Sequence, residues 1–392
     1  MKSVLIITTQ YVPEAVGRAS RMHELAKALK NFYKIQVIAP PPTWPYSKFP
    51  KVNYLSHREQ IDGIDILRIW TYQPKNEDPS AIAKLAYHLI FPINVCFSFL
   101  STLRNVSSVI ISAQPPPILL SALFVIFARK KLILDIGDLE YGKNIDKKEV
   151  RLSILKKISK RIQLYCWKKS DFIITNTLGI QTRIQKILEE NNPEKVRYFP
   201  FNVDLTVFRK HEVKVENQIV YTGMFGALQN LPPLIKAMKF IVKEIPDLVL
   251  HLYGGGKYQS ELEHLLRELK LEDNCIIHDP VSRNDLPLIL SKSLIGIVPL
   301  SMDKSLSFAN PSKTFEYMAC SLPVFGYGAS DAIKEILEKT NSGIYLKTED
   351  PFEISKGILE MLQDEKTLEE FGKNGHKFVE SRANINDLVK LL

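Results

Sequence analysis

The chain is poor in cysteine, and none of its cysteines is placed for metal or redox work. Cys96, Cys166, Cys275 and Cys320 are the four among 392 residues. They form no Cys-x-x-Cys pair, and no Cys/His cluster has zinc spacing, so they read as reduced thiols of a cytoplasmic protein. There is no low-complexity tract and no internal repeat, so repeat and linker architectures are set aside. The apolar run Val4–Ile7 behind Met1-Lys2-Ser3 is too short for a signal-peptide core and fits a first buried strand. No Asp-x-Asp metal motif occurs.

What is present is globular: 45% hydrophobic and 24% charged residues, in a chain long enough for two ordinary domains. The net charge of +9 is unevenly placed. Residues 1–203 hold 30 Lys/Arg against 16 Asp/Glu, a net of +14, and residues 204–392 hold 22 against 27, a net of −5. The basic half suits an anionic surface or a diphosphate-bearing substrate.

Both halves alternate strand and helix signals. In the first, strands are expected at Val4–Thr8, Ile35–Ala39, Val109–Ser112, Leu132–Leu134 and Phe172–Thr175. Met22, Leu25, Ala26 and Leu29 mark a helix over Arg18–Lys30. In the second, strands are expected at Ile219–Thr222, Leu248–Tyr253, Cys275–His278, Ile295–Pro299 and Pro323–Gly326. Helices over 232–243, 258–270, 284–291 and 312–319 separate them. Continuous apolar strands with helical crossovers imply parallel sheets covered on both faces. The expected class is therefore α/β with two doubly wound, Rossmann-like domains, residues 1–200 and 201–376. The segment Tyr198 to Asp204 reads as a linker. The Pro-rich stretch Pro40–Pro50 reads as a loop at a strand's C-terminal end, where such domains bind ligands.

Chemistry concentrates at Phe308-Ala309-Asn310-Pro311-Ser312-Lys313-Thr314-Phe315-Glu316. Pro311 fits the first turn of a helix that Asn310 or Ser312 could cap. Free N–H groups and the helix dipole there make an anion site, to which Lys313 adds charge. Glu316, one turn on, can accept both hydroxyls of a ribose. Together they describe a nucleoside diphosphate site. The same residues also describe a capped amphipathic helix with surface Lys and Glu, and the segment alone leaves both readings open.

The wider pattern resembles a known family. Pro311-Ser312-Lys313-x-x-Glu316-Tyr317-Met318-Ala319-x-x-x-Pro323-Val324 is similar to the donor-site signature of family 4 glycosyltransferases of the GT-B fold. Pro200-Phe201-Asn202-Val203-Asp204 followed by Phe208 resembles that family's interdomain segment. Tyr221-Thr222-Gly223-x-x-Gly226 resembles the loop opening its second domain. Pro13-Glu14-Ala15-Val16-Gly17-Arg18-Ala19-Ser20 and the Pro-rich loop resemble its cell-surface polysaccharide branch, which includes N-acetylfucosaminyl transferases of O-antigen assembly.

The resemblance implies a retaining, metal-independent enzyme with no cofactor beyond its nucleotide-diphosphate sugar, a UDP-sugar. It implies an acceptor-binding first domain, with a C-terminal helix about 377–392 packing back on it, and a donor-binding second. Glu316 would hold the donor ribose; Lys313 and backbone N–H groups around Asn310, Pro311, Ser312 and Thr314 would hold the diphosphate. Gly17, Gly223, Gly226 and Gly254-Gly255-Gly256 would allow close backbone approach, though a plain strand-to-helix turn uses glycines too. Arg283 could add a cation or be a solvated loop residue. Asp138, in Asp135-Ile136-Gly137-Asp138-Leu139-Glu140, stands where the family has Arg-Asp-Leu-Trp. It could serve an acceptor hydroxyl or its base, or simply cap a helix. His23, His57 and His88 have no spacing that singles them out. The sequence departs from the family at Phe308, where a first carboxylate is usual, and at Met224 and Gln229, where Arg and Lys are usual.

Two segments bear on location. Leu85–Leu103 is 19 residues without Lys, Arg, Asp or Glu, long enough to span a membrane. Pro92, His88 and Asn94, and its place between strands of one domain, favour a partly exposed, interface-lying helix over a span, with a buried core helix as the other reading. Lys143–Lys169 carries ten Lys/Arg, with Ile154, Leu155, Ile158, Ile162 and Tyr165 at helical spacing. That describes a basic amphipathic helix suited to anionic lipid, or a solvated face. The expected protein is peripheral at the inner face of the plasma membrane and acts on a polyprenyl-diphosphate-linked saccharide. The rivals are a non-catalytic nucleotide-sugar-binding subunit and a nucleotide-sugar epimerase of the same architecture. A nucleic-acid partner is not expected, because no binding module is recognised.

Overall fold

A computed structural model describes residues 2–14, 16–44, 46, 48–76, 78–103, 106–138, 153–188, 194–200, 203–382 and 388–392, with backbone alone for 99–102, 153–156 and 382. The chain divides into two compact units, Met1–Pro200 with Asn384–Leu392, and Phe201–Ala383. Phe201, Asn202, Leu139, Glu140 and the basic residues before Ser153 lie outside the described residues.

The first unit is an eight-stranded sheet. Its strands are β1 (Ser3–Ile7), β2 (Lys34–Ala39), β3 (Ser56–Ile61), β4 (Ile64–Ile69), β5 (Ser108–Ser112), β6 (Lys131–Ile136), β7 (Phe172–Thr175) and β8 (Val196–Tyr198). The order is β3-β4-β2-β1-β5-β6-β7-β8. All neighbours are parallel except β3 and β4, which form an antiparallel hairpin through Asp62-Gly63. Sequence reasoning missed this hairpin. β3 reads Ser-His-Arg-Glu-Gln-Ile and lies at the sheet edge, where polar residues need no burial. The core runs from Val4, Ile6, Val37, Ile110 and Ile133 to Met22, Leu25 and Leu29 of helix α1 (Gly17–Leu29).

Of the expected C-terminal helix about 377–392, residues 383–387 lie outside the described residues; the helix Glu365–Arg382 belongs to the second unit. Leu388, Leu391 and Leu392 join the first unit's core, and Ser108 Oγ donates to the Leu392 carbonyl.

Helix α2 (Ala81–Thr102) continues through Pro92 and packs by one face. Tyr87, Phe91 and Val95, spaced by four, are buried, while Ile82 (80%) and Phe97 (80%) are exposed. By length and composition Ala81–Ser98 could cross a membrane. It follows β4 and precedes β5 of one sheet, and the Asn94 amide donates to the Trp70 carbonyl. Helix α3 (Leu119–Phe127) packs on α2, and α4 (Ser153–Lys169) packs on α3. Among its described side chains Cys166 and Trp167 are buried, while Ile158 and Tyr165 of the apolar stripe are each 47% exposed. Helix α5 (Leu178–Leu188) completes the unit.

The second unit is a six-stranded parallel sheet. Its strands are β9 (Gln218–Met224), β10 (Val249–Gly255), β11 (Cys275–His278), β12 (Ile295–Pro299), β13 (Val324–Tyr327) and β14 (Gly343–Leu346). Helices α6 (Pro232–Glu244), α7 (Gln259–Leu269), α8 (Leu286–Ser291), α9 (Ser312–Ala319), α10 (Asp331–Thr340), α11 (Pro351–Leu362) and α12 (Glu365–Arg382) cover it. The order β11-β10-β9-β12-β13-β14 makes β9 the turning point: the chain builds outward to β11, then restarts on the other side of β9 at β12. The crevice beyond β9 and β12 is the topological switch point, where open α/β sheets take their ligands.

Candidate functional site

Helix α9 follows β12, and three contacts fix it at this switch point. Gly296 on β12 makes room for Tyr317, since a Cβ there would lie 2.4 Å from the ring. The Tyr317 hydroxyl accepts the Thr222 backbone N–H at 2.9 Å, tying the helix to the end of β9. Ser330 Oγ donates to the Ala309 carbonyl at 2.7 Å and anchors the approach to the helix. Phe315, Tyr317, Met318 and Ala319 bury the inner face.

The capping expected of Asn310 or Ser312 is not found. Pro311 is itself the residue that caps the helix, at φ −59° and ψ 138°, and no side chain caps the N-terminus. Ser312 instead hydrogen-bonds the Glu316 carboxylate. Both polar atoms of the Asn310 amide are buried without a hydrogen-bond partner among the described residues. The start of α9 is thus left with open backbone donors, which favour an anion.

Lys313 lies half-buried with Nζ 3.9 Å from the centroid of the Tyr221 ring. Gly223, at φ +136°, admits it: a Cβ there would come 2.8 Å from Nζ. Burial pushes the ammonium down to about 7, against the pull of Glu316. The Glu316 carboxyl is pushed up by burial, opposed by Arg283, Lys313 and the Ser312 hydrogen bond. Arg283 stacks on Phe208 with its guanidinium carbon 5.1 Å from the ring centre. Lys313, Glu316 and Arg283 therefore form one electrostatic group. A polyanion arriving beside Lys313 would restore its proton, and a hydroxyl pair would find the Glu316 carboxylate one turn deeper.

The glycines divide into two sets. A Cβ on Gly254 would lie 1.8 Å from the Gly223 carbonyl oxygen, and one on Gly256 would lie 2.6 Å from that of Phe225. Their absent side chains let the ends of β9 and β10 pack backbone to backbone, which gives both glycines a structural reason. Gly255 meets only ordinary contacts, and Gly226 faces the flexible end of Gln229. Thr314 is fully buried, with its hydroxyl unpartnered among the described residues, so its side chain does not line an open site.

Gly17 and Asp138 belong to the first unit. Gly17 is exposed at the start of α1 with nothing within 4 Å of a built Cβ. Asp138 is exposed two residues past β6. The carboxylate that sequence reasoning missed is Asp135, at 3% exposure. It accepts two bonds from Arg21 Nε at 3.0 Å and one from Nη2 at 2.6 Å. Arg21 also donates to the Phe199 and Pro200 carbonyls, where the chain leaves the unit. Glu14 was likewise not singled out. It is buried, accepts the Thr43 and Trp44 N–H groups, and is pushed up to about 7 by burial. His23 bonds Tyr11 and Asp62 and is structural.

Two parallel α/β units of this topology define the GT-B fold, and solved structures agree over the whole chain. Sucrose-phosphate synthase of Thermosynechococcus elongatus superposes with a TM-score of 0.75 at 16% identity, covering 100% of this chain and 97% of that one. Alr3699/HepE of Anabaena, solved with UDP-glucose, superposes at 0.69 and 13% identity, covering 100% and 98%. Residues 204–378, within the second unit, match the family of glycosyl transferases group 1. An uncharacterized glycosyltransferase of Haemophilus influenzae is 25% identical over 189 residues, which are 48% of this chain and 50% of that protein. The poly(glycerol-phosphate) alpha-glucosyltransferase of Bacillus subtilis is 23% identical over 172 residues, 43% of this chain and 24% of that protein. The chain thus matches half the length or less of these curated relatives.

Proposed function

We propose that the protein is a retaining glycosyltransferase of family 4. It moves a sugar from a nucleotide-diphosphate sugar, a UDP-sugar, to a polyprenyl-diphosphate-linked saccharide in cell-surface polysaccharide assembly. The observation that carries this reading is the uncapped N-terminus of α9 beside a half-buried lysine at the switch point of a glycosyl transferases group 1 domain. The helix N-terminus and Lys313 stabilise the departing diphosphate, and Glu316 holds the ribose. Arg283 moderates the Glu316 carboxyl. The acceptor attacks from the face the diphosphate leaves, with that diphosphate helping to take the acceptor proton. Asp138 serves the acceptor hydroxyl. The cationic work is assigned to Lys313 and the helix, so no metal is called for, and activity is expected to survive EDTA.

The location proposed is the inner face of the plasma membrane. Ile82, Phe97 and Phe127 (92% exposed) on α2 and α3 support it, with exposed Ile158, Tyr165, Lys157, Lys160, Arg161, Lys168 and Lys169 on α4. Such a face gains about 1 kcal/mol per basic residue at an anionic lipid surface. Flotation with anionic liposomes tests it, and no binding at low salt would end that part of the proposal. The reaction is tested by a thermal-shift screen over nucleotides and nucleotide sugars, followed by donor hydrolysis. Binding of a nucleotide sugar without any hydrolysis or transfer would instead favour a non-catalytic subunit, the reading that Phe308 motivates.

A further inference from the structure

The first unit contains a cavity that the donor chemistry does not use. It measures about 330 Å³ and is lined by Thr43, Phe49, Lys51, Gln73, Pro74 and Lys75. It lies in the loops that follow β2 and β4, at the C-terminal ends of those strands, where the sheet takes ligands. The cavity is built around Gln73, which is 8% exposed. Its carbonyl oxygen accepts the Val52 N–H at 3.0 Å, and its amide reaches the Pro42 carbonyl and the Thr43 hydroxyl at 3.4 Å each. One buried side chain therefore fastens the segment bearing Lys51 to the segment bearing Lys75. Both lysines are exposed on the cavity wall. Glu14 already takes the Thr43 and Trp44 N–H groups, and the two ammonium groups are the cationic groups among the lining residues.

The surroundings say what kind of anion fits. Six residues beyond Lys75 the chain enters α2, whose first turns carry Ile82 at 80% and Leu85 at 47% exposure. Trp70 and Thr71 bond to α2 at Asn94 and Tyr87, so the strand end that leads into the cavity is fixed against this same helix. A cationic cavity whose wall leads, six residues on, into a helix with exposed apolar residues suits an amphiphile with a phosphorylated head and a hydrocarbon tail.

We propose that the Lys51–Lys75 cavity binds the diphosphate of an isoprenoid-linked acceptor, with the isoprenoid chain lying along the exposed face of α2. The proposal rests on the reading of the acceptor as lipid-linked, and it does not depend on the donor site. The test is calorimetric titration of the full chain with farnesyl diphosphate and with inorganic pyrophosphate, each in saturating UDP so that Lys313 is occupied. Farnesyl diphosphate should bind more tightly than pyrophosphate. Lys51→Gln/Lys75→Gln should weaken it at least tenfold. Lys214→Gln/Lys236→Gln, the same charge change on the second unit, should leave it unaltered, and both double variants should keep the wild-type melting temperature. Three results would overturn the proposal: no farnesyl diphosphate binding by the wild type, equal binding by Lys51→Gln/Lys75→Gln, or farnesyl diphosphate bound no more tightly than pyrophosphate. Failure of UDP to bind would count against the donor reading alone, because the comparison of variants still reads the cavity.

Discussion

The buried ion pairs of the first unit and the charged cluster of the second are treated in opposite ways. In the first, Arg21 and Asp135 are 8% and 3% exposed and satisfy each other with three hydrogen bonds. Arg68, at 1%, is bonded to Glu59 and to the Pro40 and Val12 carbonyls. In the second, Lys313, Glu316 and Arg283 gather half-buried at the switch point, the lysine pushed down and the carboxyl pushed up by burial. A fully paired ion is a structural part. A cluster whose burial disfavours its own charges is what the proposed donor site needs, since a charged ligand would relieve it.

The comparison predicts different consequences for removing a charge. Asp135→Ala leaves Arg21 buried without its counter-charge and should cost about 3–5 kcal/mol in urea unfolding. A loss under about 1 kcal/mol would deny the pair its structural part. Lys313→Ala should leave the melting temperature unchanged or slightly higher, because a desolvated ammonium is removed. Its turnover should fall by about 10²- to 10³-fold, the scale of losing one group that stabilises developing negative charge. Near-normal turnover would end its diphosphate role.

Glycines sharpen the contrast at smaller scale. Gly254→Ala drives a methyl into the Gly223 carbonyl and should cost about 1–3 kcal/mol. Gly17→Ala meets open space and should stay within about 0.5 kcal/mol of the parent. Equal losses at the two positions would show that the Gly17 loop, too, is held by packing. A further effect is in pH. Below about 7 the Lys313 amine already carries its proton, whereas above it a diphosphate must draw one in. Nucleotide affinity should therefore fall as pH rises through 7 to 9, by at most about tenfold per unit, with proton uptake seen as a buffer-dependent binding enthalpy.

Much of the fold was legible because buried parallel strands are continuous apolar runs, as in Val4–Ile7 and Ile295–Pro299. The segment proposed as the donor site could be singled out because its residues fall within one short stretch around a single helix start, Pro311 to Glu316. What escaped depends on distance or on partial exposure. Asp135 and Arg21 are 114 residues apart, and Asp135 sits in a strand beside the apolar residues Leu132, Ile133, Leu134 and Ile136. The capping of α9 depends on the conformation of Pro311, which no residue pattern specifies. The roles of Gly254 and Gly256 required seeing which backbone they touch.

The most direct test of the central claim is calorimetric binding of UDP to the wild type and to Lys313→Ala at pH 7. The account predicts specific binding by the wild type, weakened at least tenfold in the variant. Equal affinities, or no binding by a folded wild type, would contradict it.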